Sequence, residues 1–232
     1  MTDDPRHGPT TRILQFRERT PPPPKPPPLP RQTVIGATRC HWRIIDCPPV
    51  ADPHGQAPGF YWAACPEERF LGRWHLAALY QSWDRGENWR EISAVNYPAT
   101  MGEVVAAPVS RRVRVRIYPP GELEGATLAG LEVGDNLALV GEELLQFRYA
   151  ELVDKGTYDL SGLRRAQRGT SKLAIEPGAP FTLMSGDGIR RVIELQEAHV
   201  GRERWLKVVS EGQALDRVES FRWANLASWY RA

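Results

Sequence analysis

From Val34 onward, apolar and polar residues alternate in short runs broken by Pro, Gly, Asn and Asp. That pattern predicts strands, with no long amphipathic helix. Candidate strands are Arg39 to Asp46, Gly59 to Cys65, Trp74 to Ser82, Trp89 to Val95, Arg112 to Tyr118, Leu137 to Val140, Leu144 to Tyr149, Thr157 to Leu163, Phe181 to Met184, Ile189 to Leu195, Arg204 to Val209 and Glu219 to Trp223. Spacings of about 8–14 residues with turn signals between them point to an all-β protein of one or two β-sandwich or barrel-like modules. No internal repeat of fixed period is visible. The sharpest internal break, Pro119-Pro120-Gly121, is the expected boundary between a first module, 34–118, and a second, 119–232.

The first 33 residues differ in kind. Few of them can build a core, and Pro21 to Pro30, PPPPKPPPLP, is held in polyproline II because each ring fixes φ and removes a backbone donor. At about 3.1 Å per residue the segment spans roughly 30 Å. Ile13, Leu14 and Phe16 precede this strut, so the segment reads either as an extended assembly arm carrying a small apolar anchor or as a disordered tail. The Pro-x-x-Pro spacing also admits an SH3-type ligand reading, which nothing else in the chain favours.

The densest pattern lies between Leu131 and Thr170. Asp135-Asn136 opens the apolar run Leu137 to Val140, Gly141-Glu142 supplies a turn, and Leu144 to Phe147 runs back as a tight hairpin requires. Thr157 to Leu163 follows, with Tyr158 and Leu160 on one face, and the stretch closes on the Arg-rich turn Arg164-Arg165-Ala166-Gln167-Arg168-Gly169-Thr170. In order, N-x-A-L-V-G-E-E-x-L-Q-F, then Y-x-L-S-x-L-R-R, then R-G-T, this succession resembles the C-terminal part of the large tail-tip proteins of long-tailed bacteriophages and gene transfer agents. Those are baseplate hub or host-specificity proteins. The likeness reaches upstream to GFYWAACP and WHLAALYQSWDRGENW and downstream to EPGAPFTL, covering roughly residues 59 to 193. Such hub proteins are usually several times longer than this chain. The resemblance implies a virion component at the tail tip, a homotrimer contacting other tail-tip or baseplate proteins, with a host-surface receptor or glycan as a further partner. It implies no cofactor and no catalytic residue.

Composition narrows the field only modestly. Among 232 residues, 30 Lys and Arg stand against 28 Asp and Glu, and this near-neutral balance gives little long-range steering toward nucleic acid or an anionic membrane. No run of about 18 apolar residues occurs. Asp3, Asp4 and Pro5 stand where a signal peptide would be basic and then apolar, so synthesis and retention in a host cytoplasm are expected during assembly. Three cysteines, Cys40, Cys47 and Cys65, are an odd number at irregular spacing, which argues against a secreted disulfide framework.

Four constellations bear on chemistry. Ser82-Trp83-Asp84-Arg85-Gly86-Glu87-Asn88-Trp89 fits the S-x-D-x-G-x-x-W turn called an Asp box, in which Asp84 and Gly86 are expected to pin a hairpin; one copy does not make a propeller. Cys40, His41, Cys47, His54 and Cys65 are scattered beyond the close pairs that structural zinc prefers, so no metal site is expected. In Arg111 to Ile117 the period of two sets Val113, Val115 and Ile117 on one face and Arg112, Arg114 and Arg116 on the other, a basic strip suited to an acidic neighbour, to DNA in a tail, or to solvent. Eight tryptophans are many for this length: most are expected to fill the core, those exposed in a groove could stack on sugar rings or anchor an interface, and Trp223, Trp229 and Tyr230 near the C-terminus are the candidates for a subunit contact.

Enzyme chemistry is not indicated. Ser185-Gly186-Asp187-Gly188 lacks the Lys and Ser or Thr of a phosphate loop and reads as a hairpin turn. Glu142 and Glu143 sit at a predicted turn, where they are expected to lack the burial that tunes a general acid. The leading expectation is therefore a structural tail-tip component, a baseplate hub or hub-associated subunit. A carbohydrate- or receptor-binding β module comes second, and a glycan hydrolase resting on the single Asp box third.

Overall fold

A computed structural model describes residues 37–51, 54, 58–109, 111–193 and 197–224. The chain divides into two units, residues 1–33 and 34–232, and the described residues all belong to the second. That unit is all-β. Its strands are β1 (Cys40–Ile45), β2 (Phe60–Pro66), β3 (Ala77–Ser82), β4 (Arg90–Val95), β5 (Met101–Val109), β6 (Arg112–Ile117), β7 (Leu137–Val140), β8 (Glu143–Gln146), β9 (Tyr149–Asp154), β10 (Thr157–Ser161), β11 (Pro180–Leu183), β12 (Ile189–Val192), β13 (Glu203–Ser210) and β14 (Phe221–Ala224), with one short α-helix, α1 (Leu128–Glu132), before β7.

Three antiparallel sheets result, ordered β1-β2-β12, β14-β13-β3-β4 and β8-β7-β11-β5-β6-β10-β9. The three-stranded sheet is the middle layer, and β2 explains why. Every residue of Phe60–Pro66 is buried, as befits a strand covered on both faces, so its sequence is a continuous apolar run without alternation. Phe60, Trp62 and Ala64 face a core shared with Leu79, Val95, Leu206 and Val208 of the four-stranded sheet. Tyr61 faces the opposite way, toward Leu137, Leu139 and Leu144 of the seven-stranded sheet. Ala63 and Cys65 join it on that side, against Ala99 and Met101.

The seven-stranded sheet curls around a core of its own, formed by Val104, Val113, Val115, Ile117, Val140, Leu145, Phe147, Leu160 and Phe181. β8 is bridged to the chain just past β10, Gln146 to Arg164, and the Arg148 N–H continues the β9–β10 ladder by donating to the Ser161 carbonyl at 3.0 Å. The chain from β8 into β9 thus passes from one end of the sheet to the other. Close approach at β5–β6 requires glycine, because a Cβ on Gly102 would lie 2.0 Å from the Arg116 carbonyl oxygen.

Strands β5 and β9 are absent from the sequence-based expectation, and each hides for a physical reason. Register shifts at Val104/Ala106 and Ala106/Val109 break the alternation of β5, and Pro108 lies within it. β9 pairs on one side only and is exposed nearly throughout, so it carries no apolar–polar period. The expected boundary at 118/119 falls after β6, where the Pro119–Pro120 peptide is cis, and strands from both sides of it share the seven-stranded sheet.

Candidate functional site

The stretch from Leu131 to Thr170 builds β7 to β10 and the Arg-rich turn, and its polar side chains are engaged one by one. Hairpin β7–β8 closes on Gly141 and Glu142, since Val140 pairs with Glu143 and Gly141 takes φ 60°. Asn136, at φ 53°, donates through Nδ2 to the carbonyls of Glu124 (2.8 Å) and Phe147 (3.2 Å). Gln146 Nε2 donates to the carbonyls of Leu131 (2.8 Å) and Asp135 (2.9 Å), fixing the end of α1 against β8. Thr170 Oγ1 accepts from the Leu144 N–H at 3.1 Å and donates to the Gln167 carbonyl at 2.8 Å.

Glu143 is the centre of this region, and here the structure corrects the expectation of an unburied turn carboxylate. Its side chain has no exposed surface. The strand period turns it inward while its neighbour Glu142 stays at the turn. Oε1 accepts from Arg165 Nε at 2.6 Å and the Ala166 N–H at 2.8 Å, and Oε2 accepts from Arg165 Nη2 and from the Leu173 N–H at 3.0 Å. Arg165 Nη2 also donates to the Leu173 carbonyl at 2.6 Å. Burial pushes the Glu143 carboxyl up, but the guanidinium fork and the two backbone donors outweigh it and hold the group below its ordinary value. The result is a fixed anion clasping the Arg-rich turn to β8. A proton-shuttling acid needs the opposite tuning.

Arg112, Arg114 and Arg116 lie on the outer face of β6, with Val113, Val115 and Ile117 inward as the alternation predicted. Each stands beside a carboxylate from an adjoining part of the sheet. Arg114 forms a two-pronged pair with Asp159 (2.6 and 2.8 Å), Arg112 is 3.7 Å from Glu151, and Arg116 is 3.9 Å from Glu103. The hydrogen bond from Arg114 lowers the Asp159 carboxyl. This face is therefore a mixed ladder of charge, and its attraction for phosphate is much weaker than three unopposed arginines would exert.

Asp84 closes the β3–β4 turn. Oδ1 accepts from Ser82 Oγ (2.6 Å) and the Asn88 N–H (3.0 Å), and Oδ2 accepts from Asn88 Nδ2 (2.6 Å). These bonds, Ser82 first, hold the carboxyl well below the ordinary aspartate range. Gly86, at φ 96°, donates its N–H to Ser82 Oγ at 2.8 Å and accepts from Trp89 Nε1 at 2.9 Å.

Among the described residues, two buried cations, Arg204 and Lys207, escaped the sequence reading. Arg204 is 1% exposed, with its guanidinium carbon 4.8 Å from the Trp83 ring centroid, 5.3 Å from Trp223 and 5.4 Å from Phe60. Burial lowers its pKa to about 10. Trp223, a candidate for subunit contact, is half-buried here and tilts against Phe60 at 4.6 Å. The available signal was positional: Arg204 occupies the same alternate face of β13 as the core residues Leu206 and Val208. Ile13, Leu14, Phe16, Trp229 and Tyr230 lie outside the described residues.

The cysteines and histidines do not converge. Burial pushes the thiols of Cys47 and Cys65 up to about 12 and that of Cys40 to about 11, His41 stacks on Tyr118, and His54 Nδ1 lies 2.8 Å from the Tyr61 hydroxyl. Among the described residues, no three His, Cys, Asp or Glu side chains are grouped to hold a metal ion. No helix among them is long and apolar enough to cross a membrane.

Residues 94–182 match the model of a family described as Rcc01698-like, C-terminal. That span holds the seven-stranded sheet almost whole, with the Glu143–Arg165 clasp inside it. No curated protein matches the chain.

Proposed function

We propose that this chain is a structural component of a phage or phage-like tail tip, a baseplate hub or hub-associated subunit that acts in tail assembly and in positioning the tip for host attachment. The supporting observation is how the signature between Leu131 and Thr170 is used: Asn136, Glu143, Gln146, Arg165 and Thr170 all bond within the fold. A signature of that kind specifies shape, which is what an assembly component must hold. The family match over 94–182 falls on the same region. Its partners would be other tail-tip proteins and two further copies of itself, in the virion at the tail end and in the host cytoplasm during assembly.

The glycan-hydrolase reading draws no support from Asp84, whose two oxygens are both engaged in closing a turn. Labelling the chain in purified particles and reconstructing their tail ends tests the proposal. Threefold density at the tip that accommodates the barrel-like sheet is the expected result. A chain absent from particles that are complete and infectious, or transfer-competent, would refute it.

A further inference from the structure

The margin where the middle and four-stranded sheets part carries a feature the assembly role does not use. Of the tryptophans in the described residues, Trp42 alone is exposed, at 41%. It sits on β1, an edge strand, opposite Ala64, and therefore on the face turned toward the four-stranded sheet. There its ring stacks on Phe221 of β14, the edge strand of that sheet, with centroids 4.7 Å apart and planes 18° from parallel. Phe221 in turn packs on the core, so the indole is held in place and little ordering is needed for a ligand to meet it.

Beside this pair lies a cleft of about 550 Å³, inside the size range of about 300–1,000 Å³ usual for small-molecule sites. Trp42 shares its wall with Arg39, Glu67, Gln213, Arg217 and Glu219. Glu67 Oε2 accepts from Arg69 and Gln213 Oε1 from the Ser210 N–H, so the groups turned to a ligand are Glu67 Oε1, the Glu219 carboxylate, the Gln213 NH₂ and the two guanidinium groups, a mixture of acceptors and donors that suits neighbouring hydroxyls. The four formal charges cancel, leaving no net field to select an ionised ligand. A purely aliphatic ligand would desolvate those charges without replacing their hydrogen bonds. A pyranose matches both requirements, because its C–H face lies on an aromatic ring while its hydroxyls point to the sides.

We infer that this cleft is a binding site for a neutral oligosaccharide, with one sugar ring stacked on Trp42 and its hydroxyls bonded by the surrounding charged and amide side chains. The inference stands on the cleft's geometry and does not depend on the tail-tip reading.

The test titrates the full chain with maltotriose, cellotriose, mannotriose and chitotriose. The indole N–H of Trp42 is followed by NMR, assigned through its loss in Trp42→Phe, and affinities are measured by calorimetry. The expected result is a saturating shift of that one indole with at least one of these sugars, at a Kd near about 1 mM. Affinity should fall about tenfold or more in Trp42→Ala and less in Trp42→Phe. Glu219→Gln, an exposed change that leaves the aromatic pair intact, should also weaken binding, whereas Leu152→Ala on β9 should leave it unchanged. No shift of the Trp42 indole with any of the four sugars at about 10 mM would overturn the inference. So would affinity unaffected by either cleft variant, or binding confined to an acidic sugar such as sialyllactose.

Discussion

Breaking the Glu143–Arg165 clasp from the cationic side should be among the most damaging single changes in the chain. Arg165→Met removes both prongs of the fork and leaves a carboxylate with no exposed surface, retaining only the backbone donors of Ala166 and Leu173. Loss of one partner of a buried pair typically costs about 3–5 kcal/mol, most of it from the uncompensated charge left behind. Glu143→Gln should cost about 2–3 kcal/mol, because the amide keeps one acceptor but sets an NH₂ against donors. In the double variant Glu143→Gln/Arg165→Met no buried charge remains unpaired, so its deficit should fall short of the sum of the singles by at least about 1 kcal/mol. Equilibrium urea unfolding followed by tryptophan fluorescence, with unchanged m values, measures all three. The pH dependence has a definite sign. In the wild type the folded carboxyl titrates below its unfolded value, about 4.3, so the stabilisation is present above that pH and is lost as pH falls through the folded value. Without the guanidinium the folded value rises, the folded variant takes up its proton earlier, and its deficit relative to wild type should shrink between about pH 7 and pH 4. A deficit for Arg165→Met below about 1 kcal/mol and flat with pH would refute the reasoning.

Three further outcomes are expected. Asp84→Ala should lower the melting temperature, and Asp84→Asn less so, since the amide oxygen can still accept from Ser82 or from the Asn88 backbone; an unchanged melt would show that the turn holds without its carboxylate. Asn136→Gly keeps a residue that tolerates φ 53° but loses two hydrogen bonds to carbonyls, so unfolding should be easier by about 1–2 kcal/mol, whereas neutrality in denaturant titration would mean water replaces them. Deletion of residues 1–31 should leave the melt of the β unit in place while impairing entry into particles; complete tails built with the truncated chain would show the arm to be dispensable, and a lost transition would make it part of the fold.

Periodicity located most strands because most of them have one wet face and one dry face. β6 is the clearest instance, its arginines outward and its valines inward along the whole strand. The reading failed where a strand departs from that condition. β5 is shifted twice in register, and β9 lies at an edge with both faces largely open, so neither presents a period to detect. The Asp84 turn was legible down to its central residue because its bonds run between neighbours in sequence, from Ser82 to Asn88.

The polar residues that matter most were harder to read, for a reason of distance along the chain. Whether Glu143 is a solvated turn residue or a buried anion depends on Arg165, Ala166 and Leu173, all of which return to β8 only after β9 and β10 have been laid down. Arg112, Arg114 and Arg116 form a basic strip only while Glu103, Asp159 and Glu151, on other strands of the same sheet, are left out. In both cases the local pattern fixed which way a side chain points, and the fold decided what it meets there. Trp42 carries the same lesson in reverse. Among many tryptophans nothing local distinguishes it, and its exposure arises because β1 and β14, distant in sequence, are edge strands of adjacent layers. A candidate ligand site in an all-β chain of this kind is therefore best sought where edges from different sheets converge, since there side chains escape both cores while remaining anchored to them.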